Sequence, residues 1–160
     1  MIASHPFPRF ILRENLGKLA RNLRLLGYDA AVYQNISFHN LSRIASRDKR
    51  IILTRSQQEA KRKNLNPVLL INSDDIDEQL REISSILEFK EDCIFSRCSL
   101  CNKLLYEIDK EKIINSVPEY VISQNSSFRI CRFCGHIYWK GDHYQAILRR
   151  LKNLFEEGKV

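Results

Sequence analysis

The chain has 160 residues, 44% hydrophobic and 28% charged, with 5 Gly and 4 Pro. That excludes a disordered, collagen-like or linker-rich protein, and no run approaches the roughly 18 apolar residues a membrane span needs. The formal charge is +7, with 15 Lys and Arg against 10 Asp and Glu in residues 1–90 and 11 against 9 in residues 91–160. The basic excess therefore lies in the first part, and it favours a polyanionic partner.

Met1 to Arg9 shows no positive segment leading into an apolar one, so no signal peptide is read and the cytoplasm is the expected compartment. In that compartment five cysteines point to metal rather than disulfides. Arg9-Phe10-Ile11-Leu12 reads as a strand. Asn15 is placed to cap a helix with Leu16, Leu19, Leu23 and Leu26 on one face, and Gly27 stops it. Ala30-Ala31-Val32-Tyr33 is a second strand, followed by a short helix over His39 to Arg47. Ile51-Ile52-Leu53-Thr54 is a continuous apolar strand of the kind buried on both faces of a parallel sheet. A helix over Gln57 to Lys63, a fourth strand Val68-Leu69-Leu70-Ile71 and an amphipathic helix over Asp75 to Leu87 follow. Four alternations of strand and helix predict an α/β domain with a parallel sheet and flanking helices over residues 1–90.

The rhythm changes near residue 90. Cys98-Ser99-Leu100-Cys101 and Cys131-Arg132-Phe133-Cys134 form two knuckles in which both sulfurs of each pair can reach one tetrahedral ion. The expectation is a structural Zn²⁺ held by Cys98, Cys101, Cys131 and Cys134. The 29 intervening residues need an inserted hairpin or helix. Cys93 is left over as a small apolar residue. Ile137-Tyr138-Trp139 reads as a strand, and Asp142 is placed to cap a final helix bearing Ile147, Leu148, Leu151 and Phe155. Residues 91–160 are thus expected to form a zinc ribbon with a C-terminal helix.

Two further patterns bear on chemistry. Lys18, Arg21 and Arg24 lie on the polar side of the first predicted helix. Arg47, Lys49, Arg50, Arg55, Lys61 and Arg62 follow, against only Asp48 and Glu59, and such clusters suit phosphate contacts. The aromatics Phe128, Phe133, Tyr138, Trp139 and Tyr144 are expected mainly to fill a thin ribbon core, with stacking on unpaired bases as the alternative. Acids are sparse. A parallel sheet places its site at the carboxyl ends of its strands, and Glu14, Asp74 and Asp75 are the carboxylates offered there. Lys140 and His143 could contact RNA, or act as charge stabiliser and base in metal-free cleavage.

The segments Leu16-Gly17-Lys18-Leu19-Ala20-Arg21, Leu23-Arg24-Leu25-Leu26-Gly27-Tyr28-Asp29 and Ile52-Leu53-Thr54-Arg55 belong to a wider pattern. It continues through Gln79-Leu80-Arg81-Glu82, Phe95-Ser96-Arg97-Cys98, Cys101-Asn102 and Val117-Pro118. It ends with Cys131, Cys134-Gly135, Tyr138-Trp139-Lys140-Gly141 and His143. Over nearly its whole length the chain resembles the Mut-seven C-terminal ribonuclease family, a PIN-like nuclease fold followed by a zinc ribbon. The resemblance implies a PIN-like sheet, a four-cysteine zinc site and RNA as target. It also implies three acids of a divalent-metal site, and here those positions hold Arg13, Phe38 or His39, and Ser56. The expected function is therefore binding of RNA or a ribonucleoprotein on a degenerate ribonuclease scaffold. Arg13, Lys18, Arg21, Arg24, Arg55, Lys61, Lys140 and His143 are its RNA-contact candidates. One alternative is an active Mg²⁺- or Mn²⁺-dependent ribonuclease using Glu14, Asp74 and Asp75. Another is a protein-interaction or toxin-like module.

Overall fold

The computed structural model describes residues 7–63 and 65–158; residues 1–6, and with them most of the Met1 to Arg9 segment, lie outside the described residues, as do 64 and 159–160. The chain divides into two compact units, residues 1–24 with 28–88 and residues 25–27 with 89–160.

The first unit is built on a parallel sheet of β1 (Phe10–Arg13), β2 (Ala30–Tyr33), β3 (Ile51–Thr54) and β4 (Val68–Leu70), in the order β2-β1-β3-β4. Phe10, Ile11 and Leu12 are all fully buried. Successive strand residues face opposite ways, so β1 is covered on both sides. One side is closed by α2 (Phe38–Asp48), whose Leu41 and Ala45 pack with Ile11 and Ile52. The helix α1 (Gly17–Leu25) buries Leu19, Ala20 and Leu23.

Several boundaries differ from those read in the sequence. Asn15 does not cap α1. The chain leaves β1 through a tight 3-10 turn, Glu14–Leu16, which runs straight into the helix without a side-chain cap. Gly27 does take the left-handed conformation, φ +97°. It is needed twice over, because a Cβ there would lie 2.8 Å from the Cys93 carbonyl oxygen. Ser37 caps α2, and Ser56 caps the five-residue α3 (Gln57–Lys61). The predicted helix over Asp75 to Leu87 breaks in two, with α4 (Ile76–Glu82) followed by a 3-10 turn, Ser84–Ile86. The Ser84 hydroxyl donates to the Arg81 carbonyl at 2.8 Å, a local bond that competes with the helix.

The second unit holds an antiparallel sheet of β5 (Tyr106–Ile108), β6 (Phe128–Ile130) and β7 (Ile137–Trp139), in that order. Between β5 and β6 the insertion contains a 3-10 turn and α5 (Glu119–Gln124). Its core is Ile113, Val121 and Phe128, with Val117, Ile122 and Trp139 packed against them. The last helix, α6 (Asp142–Glu157), buries Tyr144, Leu151 and Leu154, while Ile147, Leu148 and Phe155 are half-buried. Gly141, not Asp142, takes its cap position, so Asp142 acts only as an acid in the first turn. Among the described residues no helix is long and apolar enough to cross a membrane.

Candidate functional site

The strand order fixes where a site can form. From β1 the chain crosses to β2 on one side, whereas from β3 it crosses to β4 on the other. A crevice opens at such a reversal, beyond the carboxyl ends of β1 and β3. Arg13 ends β1 and Thr54 ends β3. Each lies two residues beyond a member of the Ile11–Ile52 pair, so both project on the α2 side.

What fills this crevice is an ion pair. Arg13 Nη1 donates to both carboxylate oxygens of Glu59, at 2.8 and 3.0 Å, and its Nε donates to the Ile36 carbonyl at 3.2 Å. The Thr54 hydroxyl donates to the same Glu59 carboxylate at 2.5 Å and accepts from the Ser56 amide at 3.1 Å. Ser56 Oγ in turn accepts from the Glu59 amide, which holds α3 and its acid in place. The Arg13 and Glu59 side chains are only 25% and 14% exposed. Glu59, read in the sequence merely as a counter-charge in a basic run, is thus the carboxylate at the centre of the crevice.

The acids offered by the sequence do not converge. Glu14 accepts from the Asn35 amide at 3.4 Å. Asp74 pairs with Arg55 at 2.5 Å, and its side chain is 91% exposed. Asp75 spends one oxygen on the amides of Asp77 and Glu78, at 3.0 Å each, as the cap of α4. Among the described residues, the four cysteines are the group of three or more His, Cys, Asp or Glu placed to share an ion.

The basic candidates separate into exposed and internal cations. Lys18, Arg21 and Lys61 are exposed and make no ion pair among the described residues. Arg55 also donates to the Asn72 carbonyl. Arg24 is buried, its Nε donating to the Ala30 carbonyl at 2.9 Å, so it does not share the polar side of α1 expected of it. Arg50 is buried as well, held by Asp29 at 2.6 Å and by the Phe10 carbonyl. Helical periodicity assigns a face but does not show that a guanidinium can fold back onto a neighbouring strand. In the second unit Lys140 stands over the Tyr144 ring, and His143 is exposed in the first turn of α6.

The knuckle sulfurs of Cys98, Cys101, Cys131 and Cys134 all lie within 4.8 Å of one another. Cys98 Sγ is 3.8 Å from Cys134 Sγ, which matches the edge of a tetrahedron with Zn–S near 2.3 Å, about 3.8 Å. Burial alone would push the Cys98 thiol up. The Tyr138 hydroxyl at 3.3 Å and the amides of Cys101 and Leu100 outweigh it and bring the group down to about 7. Burial, the Cys134 sulfur and the negative charge of the other sulfurs push Cys101 up to about 12. One sulfur is thus prepared as a thiolate, and a divalent cation would remove the like-charge penalty on the rest. The donor set fits zinc. Four sulfurs close its coordination shell, so the ion would hold the fold and supply no open position for water.

A family model described as the Mut7-C RNAse domain matches residues 8–151. The chain belongs to the Mut7-C RNAse domain family. No curated protein and no solved structure was found to match it. In this Mut7-C chain the strand-end crevice and the four-sulfur cluster both lie within the matched residues. Of the five ribbon aromatics, Phe128, Tyr138 and Tyr144 are buried and Trp139 is half-buried, as expected of a thin core, whereas Phe133 is 77% exposed.

Proposed function

We propose that this Mut7-C protein binds RNA through the basic surface of its first unit and leaves the strand uncut by any Mg²⁺- or Mn²⁺-dependent route. The observation that carries the reading is the Arg13–Glu59 pair. Hydrolysis assisted by divalent ions needs several carboxylates converging on the scissile phosphate. Here the crevice offers Glu59 alone among the described residues, its charge already countered by the Arg13 guanidinium and one oxygen taken by the Thr54 hydroxyl. An entering cation would have to displace a guanidinium and shed part of a tightly held water shell. The exposed cations Lys18, Arg21 and Lys61 supply phosphate contacts instead. A structural Zn²⁺ on Cys98, Cys101, Cys131 and Cys134 holds the ribbon, and the use of unlinked thiols supports a cytoplasmic location.

The test is to incubate the full chain with labelled single-stranded RNA and Mg²⁺ or Mn²⁺. The RNA is expected to be bound and intact, with affinity falling steeply as salt rises. Arg21→Glu with Lys61→Glu should weaken binding about tenfold and flatten the salt dependence. Cleavage that Asp74→Ala abolishes would establish the ribonuclease alternative. Equal affinity at 50 and 200 mM salt would remove the RNA-binding reading.

A further inference from the structure

The second unit carries large apolar side chains exposed at its two knuckles. Phe133 occupies the tip of the second knuckle and Leu100 the tip of the first, at 77% and 49% exposure. Each sits between two cysteines of the sulfur cluster, so an ion on those sulfurs would hold its backbone at both sides. Lys103, two residues beyond Cys101, places its ammonium 5.9 Å from the centre of the Phe133 ring. This contact links the segment after the first knuckle to the tip of the second. On the same second knuckle the Arg132 guanidinium lies 3.7 Å over the ring of Tyr106, which is 41% exposed.

A large apolar ring left in water is informative chiefly when it is not alone. This one has an ammonium above it, and the residue before it in the chain, Arg132, stands over a second exposed ring. No ion pair among the described residues ties up Lys103 or Arg132. Apolar protein partners prefer few charges at the centre of an interface. Unpaired nucleotides need the reverse: rings or guanidinium planes on which bases stack, with cations alongside for the phosphates. Rigid knuckles suit that task, because the stacking residues lose little freedom on binding.

We infer that the second knuckle, with its Phe133 ring beside Lys103 and its Arg132 over Tyr106, is a stacking platform for unpaired RNA bases. The inference extends the RNA-binding reading from the phosphate contacts of the first unit to base contacts on the second. It calls for single-stranded RNA over duplex, since paired bases present no free face.

The experiment measures binding of the full, zinc-loaded chain to a fluorescent oligouridylate and to an RNA duplex of the same length, by anisotropy at several salt concentrations. Four proteins are compared: the unmodified chain, Phe133→Ala, Phe133→Leu, and Arg21→Glu with Lys61→Glu. Phe133→Ala is expected to lower oligouridylate affinity about five- to hundredfold, leave the salt slope unchanged and scarcely alter duplex binding. Phe133→Leu, which keeps the apolar bulk without the ring, should lose nearly as much. Zinc content and thermal midpoint should match the unmodified chain, because the ring is exposed. Unchanged affinity for Phe133→Ala overturns the platform, whatever the charge-reversal protein does. Unchanged affinity for the charge-reversal protein overturns only the phosphate contacts of the first unit. A change of oligomeric state on Phe133→Ala with RNA affinity intact would identify the face as a contact between copies and also overturn the inference.

Discussion

Arg13 and Glu59 are 46 residues apart in the chain, yet the guanidinium of one holds both carboxylate oxygens of the other at 2.8 and 3.0 Å. The pair bridges the end of β1 and the short helix α3, and the Thr54 hydroxyl joins it from β3. Three elements of the first unit, β1, β3 and α3, thus meet at one small polar network. Such a network is costly to half-dismantle, since the remaining partner keeps its charge without its counter-ion.

A double-mutant cycle measures that cost. Arg13→Ala and Glu59→Ala should each destabilise the first unit by about 2 kcal/mol, below the 3–5 kcal/mol of a fully buried pair because water reaches part of both groups. Together they should cost clearly less than the sum, and Thr54→Val should couple to Glu59 but little to distant sites. Urea unfolding of the unmodified chain, the three single variants, and the Arg13/Glu59 and Thr54/Glu59 double variants checks this. Strict additivity would mean the contact contributes no stability.

Converting Arg13→Asp and Ser56→Asp in one chain should create an ion site beside Glu59. Ser56 uses its Oγ to accept from the Glu59 amide, and an aspartate at that cap position does the same work. The doubly substituted chain should be less stable than the original without divalent ions and should regain several degrees in Tm with millimolar Mn²⁺. The unmodified chain should show no such ion-dependent gain. Calorimetry of both with and without Mn²⁺ decides the matter.

Removing a knuckle ligand acts on folding. Cys98→Ser or Cys131→Ser should release the zinc and cost most of the order of residues 91–140, because metal-binding energy in such modules is folding energy, about 10 kcal/mol or more for a complete site. Zinc analysis, with the emission of the half-buried Trp139 as reporter of the ribbon, follows both losses at once. An intact ribbon without bound metal would contradict the assignment.

Much of this was legible in the sequence. The four parallel strands appear there as apolar runs, because strands covered on both faces have no polar side to show. The knuckles announce themselves by spacing alone. Less visible were β5, only three residues long with two of them exposed, and the partnership of Arg13 with Glu59. A long-range ion pair has no period, and Glu59 sits in a five-residue helix with no buried residue. The same reason hid the inward turns of Arg24 and Arg50. Their burial depends on a backbone carbonyl and an aspartate that only the folded sheet brings close.

Alkaline pH should destabilise the fold through two buried acids of the weak kind. Burial pushes both the Cys93 thiol and the Tyr144 phenol above their ordinary values. Between the unfolded and folded values the native chain holds protons that the unfolded chain has shed. Stability is therefore full below the ordinary thiol value of about 8.5 and falls as pH rises above it, with the phenol adding to the loss near 10. Urea midpoints from pH 7 to 10.5 should decline, and Cys93→Ala should remove the earlier part of the decline. A flat profile would show that neither group stays protonated in the native state.

Tyr28 carries a different kind of consequence. Its hydroxyl donates to the Glu88 carbonyl at 3.1 Å and accepts from the Glu88 amide at 2.6 Å, a closure between residues 60 apart. On a growing chain all four strands of the parallel sheet leave the ribosome before Glu88 does. The strands can therefore gather before that phenol finds its partner, because the contact with Glu88 must wait until Glu88 too has left the ribosome. The order of synthesis thus puts this closure after all four strands are available to one another.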